Sequence, residues 1–85
     1  MEWVGEIVFD PAVDRKLREK HDLTPDQVRQ AVACGAHDRA DWNEHPRYGP
    51  RLILTGSDGH GELIAYLRPL DREDGLWECL TAWRI

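Results

Sequence analysis

The residues with the most chemistry to offer lie in the second half of the chain. Arg51 opens one apolar run (Arg51 to Thr55), Tyr66 and Arg68 lie in a second (Glu62 to Arg68), and Trp83 closes a third (Leu76 to Trp83) with Arg84 directly after it. Tyr and Trp rings stack on nucleobases, and the arginine guanidinium forks onto phosphate oxygens. Nine of the eleven cationic side chains are arginine, which suits that second use. The same residue types also fill ordinary cores and enrich protein-contact and dimer surfaces. On these residues alone the two readings stand level.

Other constellations are weaker. Gly56-Ser57-Asp58-Gly59-His60-Gly61 is rich in glycine, but no helix and no Lys-Ser/Thr pair follows, as a phosphate loop requires. Apolar runs flank it on both sides, so it predicts a hairpin turn. Cys34 and His37 have the spacing of one ligand pair, yet no second pair accompanies them, so no metal site is expected. Cys34 ends the apolar face of Val28, Ala31 and Val32, which reads as a small buried residue. Cys34 and Cys79 both sit in apolar contexts that raise a thiol pKa, which argues against either as a nucleophile. Two cysteines fit reduced thiols in a cytoplasmic protein better than a disulfide scaffold.

The elements that must position these residues can be read in order. Trp3 to Phe9 predicts a short strand. Asp10-Pro11 starts a helix through Lys20, with Ala12, Val13 and Leu17 inward. Thr24-Pro25-Asp26-Gln27 starts a second helix that Gly35 ends, Thr24 and Gln27 forming a capping box. Residues 36–50 are polar and turn-rich, with room for a short edge strand. Three strands follow, and Pro69 to Gly75 predicts a turn between the last two. This is an α+β, β-α-α-β(3-4) pattern: a mainly antiparallel sheet with both helices on one face. Strand parity puts Leu63, Ala65 and Leu67 opposite Ile64, Tyr66 and Arg68. It also puts Leu76, Glu78, Leu80, Ala82 and Arg84 opposite Trp77, Cys79, Thr81 and Trp83.

Eighty-five residues make one domain spanning 1–85. The longest apolar run is Leu52-Ile53-Leu54, so no membrane helix is expected. The opening Met1-Glu2-Trp3-Val4-Gly5-Glu6 has neither the basic nor the apolar region of a secretory signal. The net charge of −5 argues against a protein that coats nucleic acid non-specifically. The acids gather at helix starts and turns (Asp10, Asp14, Asp26, Asp58, Asp71, Glu73, Asp74), whereas Arg51, Arg68 and Arg84 lie on strands. A globally acidic chain can thus present a locally cationic face.

Three stretches carry a family resemblance. Lys20-His21-Asp22-Leu23-Thr24-Pro25-Asp26-Gln27-Val28 is similar to a Lys-His-Gly-Val-Ser/Thr helix junction, with Asp22 in place of the glycine. Arg47-Tyr48-Gly49-Pro50-Arg51-Leu52-Ile53-Leu54-Thr55-Gly56 is similar to an arginine-led strand ending in glycine. Leu63 to Arg68 and Leu80-Thr81-Ala82-Trp83-Arg84 look like the last two strands, the latter near an Ile-Ser-Ala-Arg signature. The chain in this respect resembles the RelE superfamily of small bacterial toxins, and within it the BrnT-like branch. The signature arginine falls at Trp83, with Arg84 one residue on.

The resemblance implies an endoribonuclease that cleaves messenger RNA without metal or cofactor, on the ribosome or off it, and is neutralised by a cognate antitoxin. It further implies a homodimer or a heterotetramer with that antitoxin. Carried across by position, Arg51, Arg68 and Arg84 hold phosphate and stabilise developing charge, and His21 is the general acid or base. Lys20, Tyr66 and Trp83 bind RNA, the two rings by stacking. The alternative is a non-catalytic protein-interaction module of the same fold, using Trp42, Tyr48, Trp77 and Trp83.

Overall fold

Side-chain caps start both helices. The carboxylate of Asp10 accepts from the Ala12 amide at 2.8 Å and opens α1 (Pro11–Lys20). Thr24 Oγ1 accepts from the Gln27 amide at 3.2 Å while Gln27 Oε1 accepts from the Thr24 amide at 2.8 Å, and this reciprocal box opens α2 (Pro25–Val32). These helices belong to a computed structural model that describes residues 2–47 and 49–85.

Five strands complete it: β1 (Glu6–Val8), β2 (Arg39–His45), β3 (Gly49–Ser57), β4 (Glu62–Asp71) and β5 (Leu76–Arg84). They form one sheet in the order β1-β5-β4-β3-β2, with β1 parallel to β5 and every other pair antiparallel. The fold is the expected α+β arrangement. α1 packs on β5, and α2 on β3 and β4.

The core lies on one side of the sheet. Leu52 and Leu54 of β3, Leu63, Ala65 and Leu67 of β4, and Trp77, Cys79 and Ala82 of β5 meet Leu17, Leu23, Val28, Ala31 and Val32. Each fully buried Leu or Val side chain stabilises the fold by roughly 1.5–3 kcal/mol. The Trp77 indole satisfies its one polar atom by donating to the Trp3 carbonyl at 2.9 Å.

The structure departs from the sequence-based expectation in four places. β1 is only three residues long, because the chain turns into the Asp10 cap directly after it. β2 is a full seven-residue edge strand. Six of its residues are exposed, so it carries no alternation, and its pairing with β3 alone defines it. β4 runs on through Pro69 to Asp71, and the register is irregular between Pro69 and Asp71, where the missing amide of proline is tolerated.

The fourth departure changes which residues share a face. Tyr66 pairs with Thr81 but Leu67 pairs with Cys79, so Leu80 is an extra residue, a β-bulge. Trp77 and Cys79 therefore point to the core as parity predicts, but beyond the bulge Ala82 takes that side. Trp83 moves to the open face, and Arg84 to the helix side.

Candidate functional site

Residues opposite one another in a sheet project to the same side. On the side of the sheet turned away from the core, Asn43 of β2 faces Arg51 of β3, Arg68 of β4 faces Glu78 of β5, and Tyr66 sits between Ile53 and Thr81. Trp83, facing Ile64, joins them because of the bulge at Leu80.

Three planar groups form a row across β3, β4 and β5. The Arg51 guanidinium lies 4.9 Å from the Tyr66 ring centre. Tyr66 in turn stacks on Trp83, with centroids 5.2 Å apart and planes at 28°. Such contacts are worth about 0.5–1.5 kcal/mol each. Arg51 Nε also donates to Asn43 Oδ1 at 3.2 Å, which fixes the guanidinium from the β2 side.

Beside this row, Lys16 of α1, Arg51, Arg68, Leu80 and Thr81 line one pocket. The bulged Leu80 forms part of its wall. Arg68 makes an ion pair with Glu78. Neither Lys16 nor Arg51 has a carboxylate partner among the described residues, so their charge stays available to a ligand.

Three predicted site residues, Arg84, His21 and Lys20, lie elsewhere. Arg84 is on the helix side, where its two terminal nitrogens hold Asp58 at 3.2 Å and 2.7 Å. It lines a separate polar pocket with Arg18, Asp22, Thr24, Gln27 and His60. The Arg84 hydrogen bonds, aided by the His60 amide, hold the Asp58 carboxyl well below the usual carboxylate range, and Asp58 pushes the Arg84 pKa up in return. Arg84 is thus the partner of a buried carboxylate and does not join Arg51 and Arg68. His21 is half-buried and closes α1, its backbone amide donating to the Leu17 carbonyl at 3.1 Å. It lines neither pocket, and nor does the exposed Lys20.

The residues of the protein-interaction alternative are also dispersed. Trp77 is fully buried, with Trp42 edge-on against it at 6.4 Å and Arg72 over the Trp42 ring at 4.9 Å. Tyr48 lies outside the described residues. Cys34 is exposed past the end of α2, not buried as its sequence position suggested, whereas Cys79 is buried. The expected hairpin connection is present but narrower, Gly56 and Ser57 belonging to β3 and residues 58–61 making the turn, with Ser57 Oγ accepting from the Gly59 amide and Asp58 Oδ1 from the His60 amide. Among the described residues no cluster of three or more His, Cys, Asp or Glu side chains is placed to hold a metal.

Of the residues the sequence singled out, Arg51, Tyr66, Arg68 and Trp83 meet on one surface, Trp83 only through the bulge, whereas Lys16, Asn43 and Glu78 were missed. Glu78 alternates with the apolar Trp77 and Cys79 and was within reach. Asn43 was hidden in the segment whose strand showed no pattern. Lys16 lies one helical turn before Lys20 on the same side of α1.

No protein-family model, curated protein or solved structure matches the chain. The likeness to RelE-type toxins rests on its short motifs.

Proposed function

We propose that the open face takes single-stranded RNA and cleaves it without a metal, as a toxin-type endoribonuclease. The observation that carries this reading is the Arg51–Tyr66–Trp83 row flanked by Lys16 and Arg68. Aromatic rings offer a surface to unpaired bases, worth about 1–3 kcal/mol per stacked base, and adjacent cations take the backbone. Arg51 and Arg68 hold the phosphate and stabilise charge as it develops on phosphorus. Glu78, on the same face beside Arg68, is the group placed to accept the 2′-hydroxyl proton; His21 is not. The 2′-oxygen bonds to phosphorus as the bond to the 5′-oxygen breaks, solvent water protonates that leaving oxygen, and the products are a 2′,3′-cyclic phosphate and a 5′-hydroxyl. A cell that makes such an enzyme needs a protein that covers this face, and a cognate antitoxin is that partner.

The purified protein, incubated with single-stranded RNA in excess chelator, is expected to leave cyclic-phosphate ends. Glu78→Gln should lower the rate by about 100-fold or more, and Arg51→Ala with Arg68→Ala should abolish both binding and cleavage. No cleavage by the folded wild-type protein, on free RNA or on ribosomes, sinks the reading.

One observation favours a second reading, in which the face binds without cutting. His45, on the Asn43 side of β2, is three strand spacings from Glu78, about 14 Å, too far for the two to serve one phosphodiester. With Arg84 held by Asp58, Glu78 has no acid partner on its own strands. RNA binding with intact product ends would favour this reading.

A further inference from the structure

The pocket beside the stacked row gives a sharper inference than the face as a whole. Its cationic side chains come from three separate elements, α1, β3 and β4, and they converge where β5 bulges. Lys16 is an exposed lysine on a helix whose buried contact is made by Leu17, so packing does not require it there. The guanidinium of Arg51 is held from both sides, by Asn43 and by Tyr66, and so is pre-oriented. Among the described residues one carboxylate, Glu78, pairs into the cluster and offsets one of its three positive charges. The Thr81 hydroxyl adds a neutral donor at the wall.

We infer that this pocket is a phosphate-binding subsite, with Lys16 the third cation that completes it. Two uncompensated positive charges suit a phosphoryl group: either a terminal monoester near −2, or backbone diesters at −1 each. The inference rests on the reading of the open face as RNA-directed and assigns its phosphate contact. Fixing one phosphate beside Tyr66 and Trp83 sets where the neighbouring base meets the rings.

The test uses the intact chain and two probes. One is inorganic phosphate. The other is a single-stranded oligoribonucleotide of about ten residues, with and without a 5′-phosphate. Lys16→Ala should weaken phosphate and oligonucleotide binding about three- to fivefold. It should also reduce the slope of log affinity against log salt by about 0.7. Lys16→Arg should retain both, and Arg15→Ala, the same charge change on the same helix outside the pocket, should change neither. An oligonucleotide that binds only with its 5′-phosphate makes the ligand a terminal monoester; binding without it makes the ligand the backbone. Both outcomes support the subsite, provided Lys16→Ala weakens them. Equal behaviour of Lys16→Ala and Arg15→Ala, or no phosphate binding by the wild type, overturns it. Should phosphate bind through Lys16 while RNA is neither bound nor cut, the functional reading falls and the subsite stands. Should RNA be cut with Lys16→Ala unchanged, the reverse holds.

Discussion

The Arg84 guanidinium grips both carboxylate oxygens of Asp58 and ties the end of β5 to the β3–β4 turn. The Asp58 side chain is 1% exposed and that of Arg84 32%, so removing either partner leaves a charge in a poor solvent position. The pair holds the carboxyl pKa below that of an unfolded aspartate, about 3.9. A depressed folded-state pKa contributes stability that is complete above the unfolded value and drains away as pH falls towards the folded one. Asp58→Asn should therefore be less stable than wild type at pH 6, and the gap should narrow below about pH 4. Urea unfolding across that range measures it. A gap of equal size at pH 6 and pH 2.5 would contradict the assignment.

The two thiols should differ sharply in reactivity. Burial pushes the Cys79 thiol up to about 12, so almost no thiolate exists at neutral pH. Cys34 is exposed, and its sulfur makes a long contact of 3.6 Å to the Gly5 carbonyl. A neutral-pH thiol reagent should modify about one cysteine per folded chain within minutes, and the second only in denaturant. Cys34→Ala should remove the fast phase. Fast labelling of Cys79 in the folded protein would show that its strand opens.

Part of this was legible in the sequence because it is written in local chemistry. Asp10, Thr24 and Gln27 are capping residues at cap positions, and they cap. Leu52 and Leu54, like Leu63, Ala65 and Leu67, alternate and lie inward. The remainder depends on tertiary pairing. An edge strand exposed on both faces leaves no hydrophobic pattern, so Arg39 to His45 could not be assigned, and with it went Asn43 as the partner of Arg51. The bulge has no signature in Leu80 or Thr81, and it alone decides that Trp83 joins Tyr66 while Arg84 meets Asp58.

Gly56 reads as the first residue of a turn, yet its role is to let α2 approach the sheet. It lies within β3, and a Cβ placed there would collide with the Ala31 carbonyl oxygen and come within 3.3 Å of the His37 Cα. Both neighbours are backbone, so no side chain can swing aside. Gly56→Ala should cost about 2–4 kcal/mol by forcing α2 away from β3. Gly59→Ala is the comparison: its added Cβ meets nothing within 4 Å, and it pays only for a φ of +92°. Denaturant midpoints should fall much further for Gly56→Ala, and equal losses would refute the close-approach account.

The bulge makes the strongest claim about the site, and chain length in β5 tests it. With Leu80 present, Cys79 and Ala82 both face the core although three positions separate them. Deleting Leu80 leaves Cys79 inward, Thr81 outward, Ala82 inward and Trp83 outward by simple alternation. The deletion should therefore fold, lose no more than about 2 kcal/mol, and keep the Tyr66–Trp83 stack. Inserting one glycine between Thr81 and Ala82 reverses every later residue. It would put the glycine in the core place of Ala82, Ala82 on the open face and Trp83 in the space of Arg84, breaking both the Tyr66–Trp83 stack and the Arg84–Asp58 pair, at a cost of about 3 kcal/mol or more. Urea unfolding reads the stabilities, and near-ultraviolet circular dichroism reads the stack. If the insertion is tolerated and the deletion unfolds, then Leu80 is an essential packing residue and the open-face position of Trp83 has another cause.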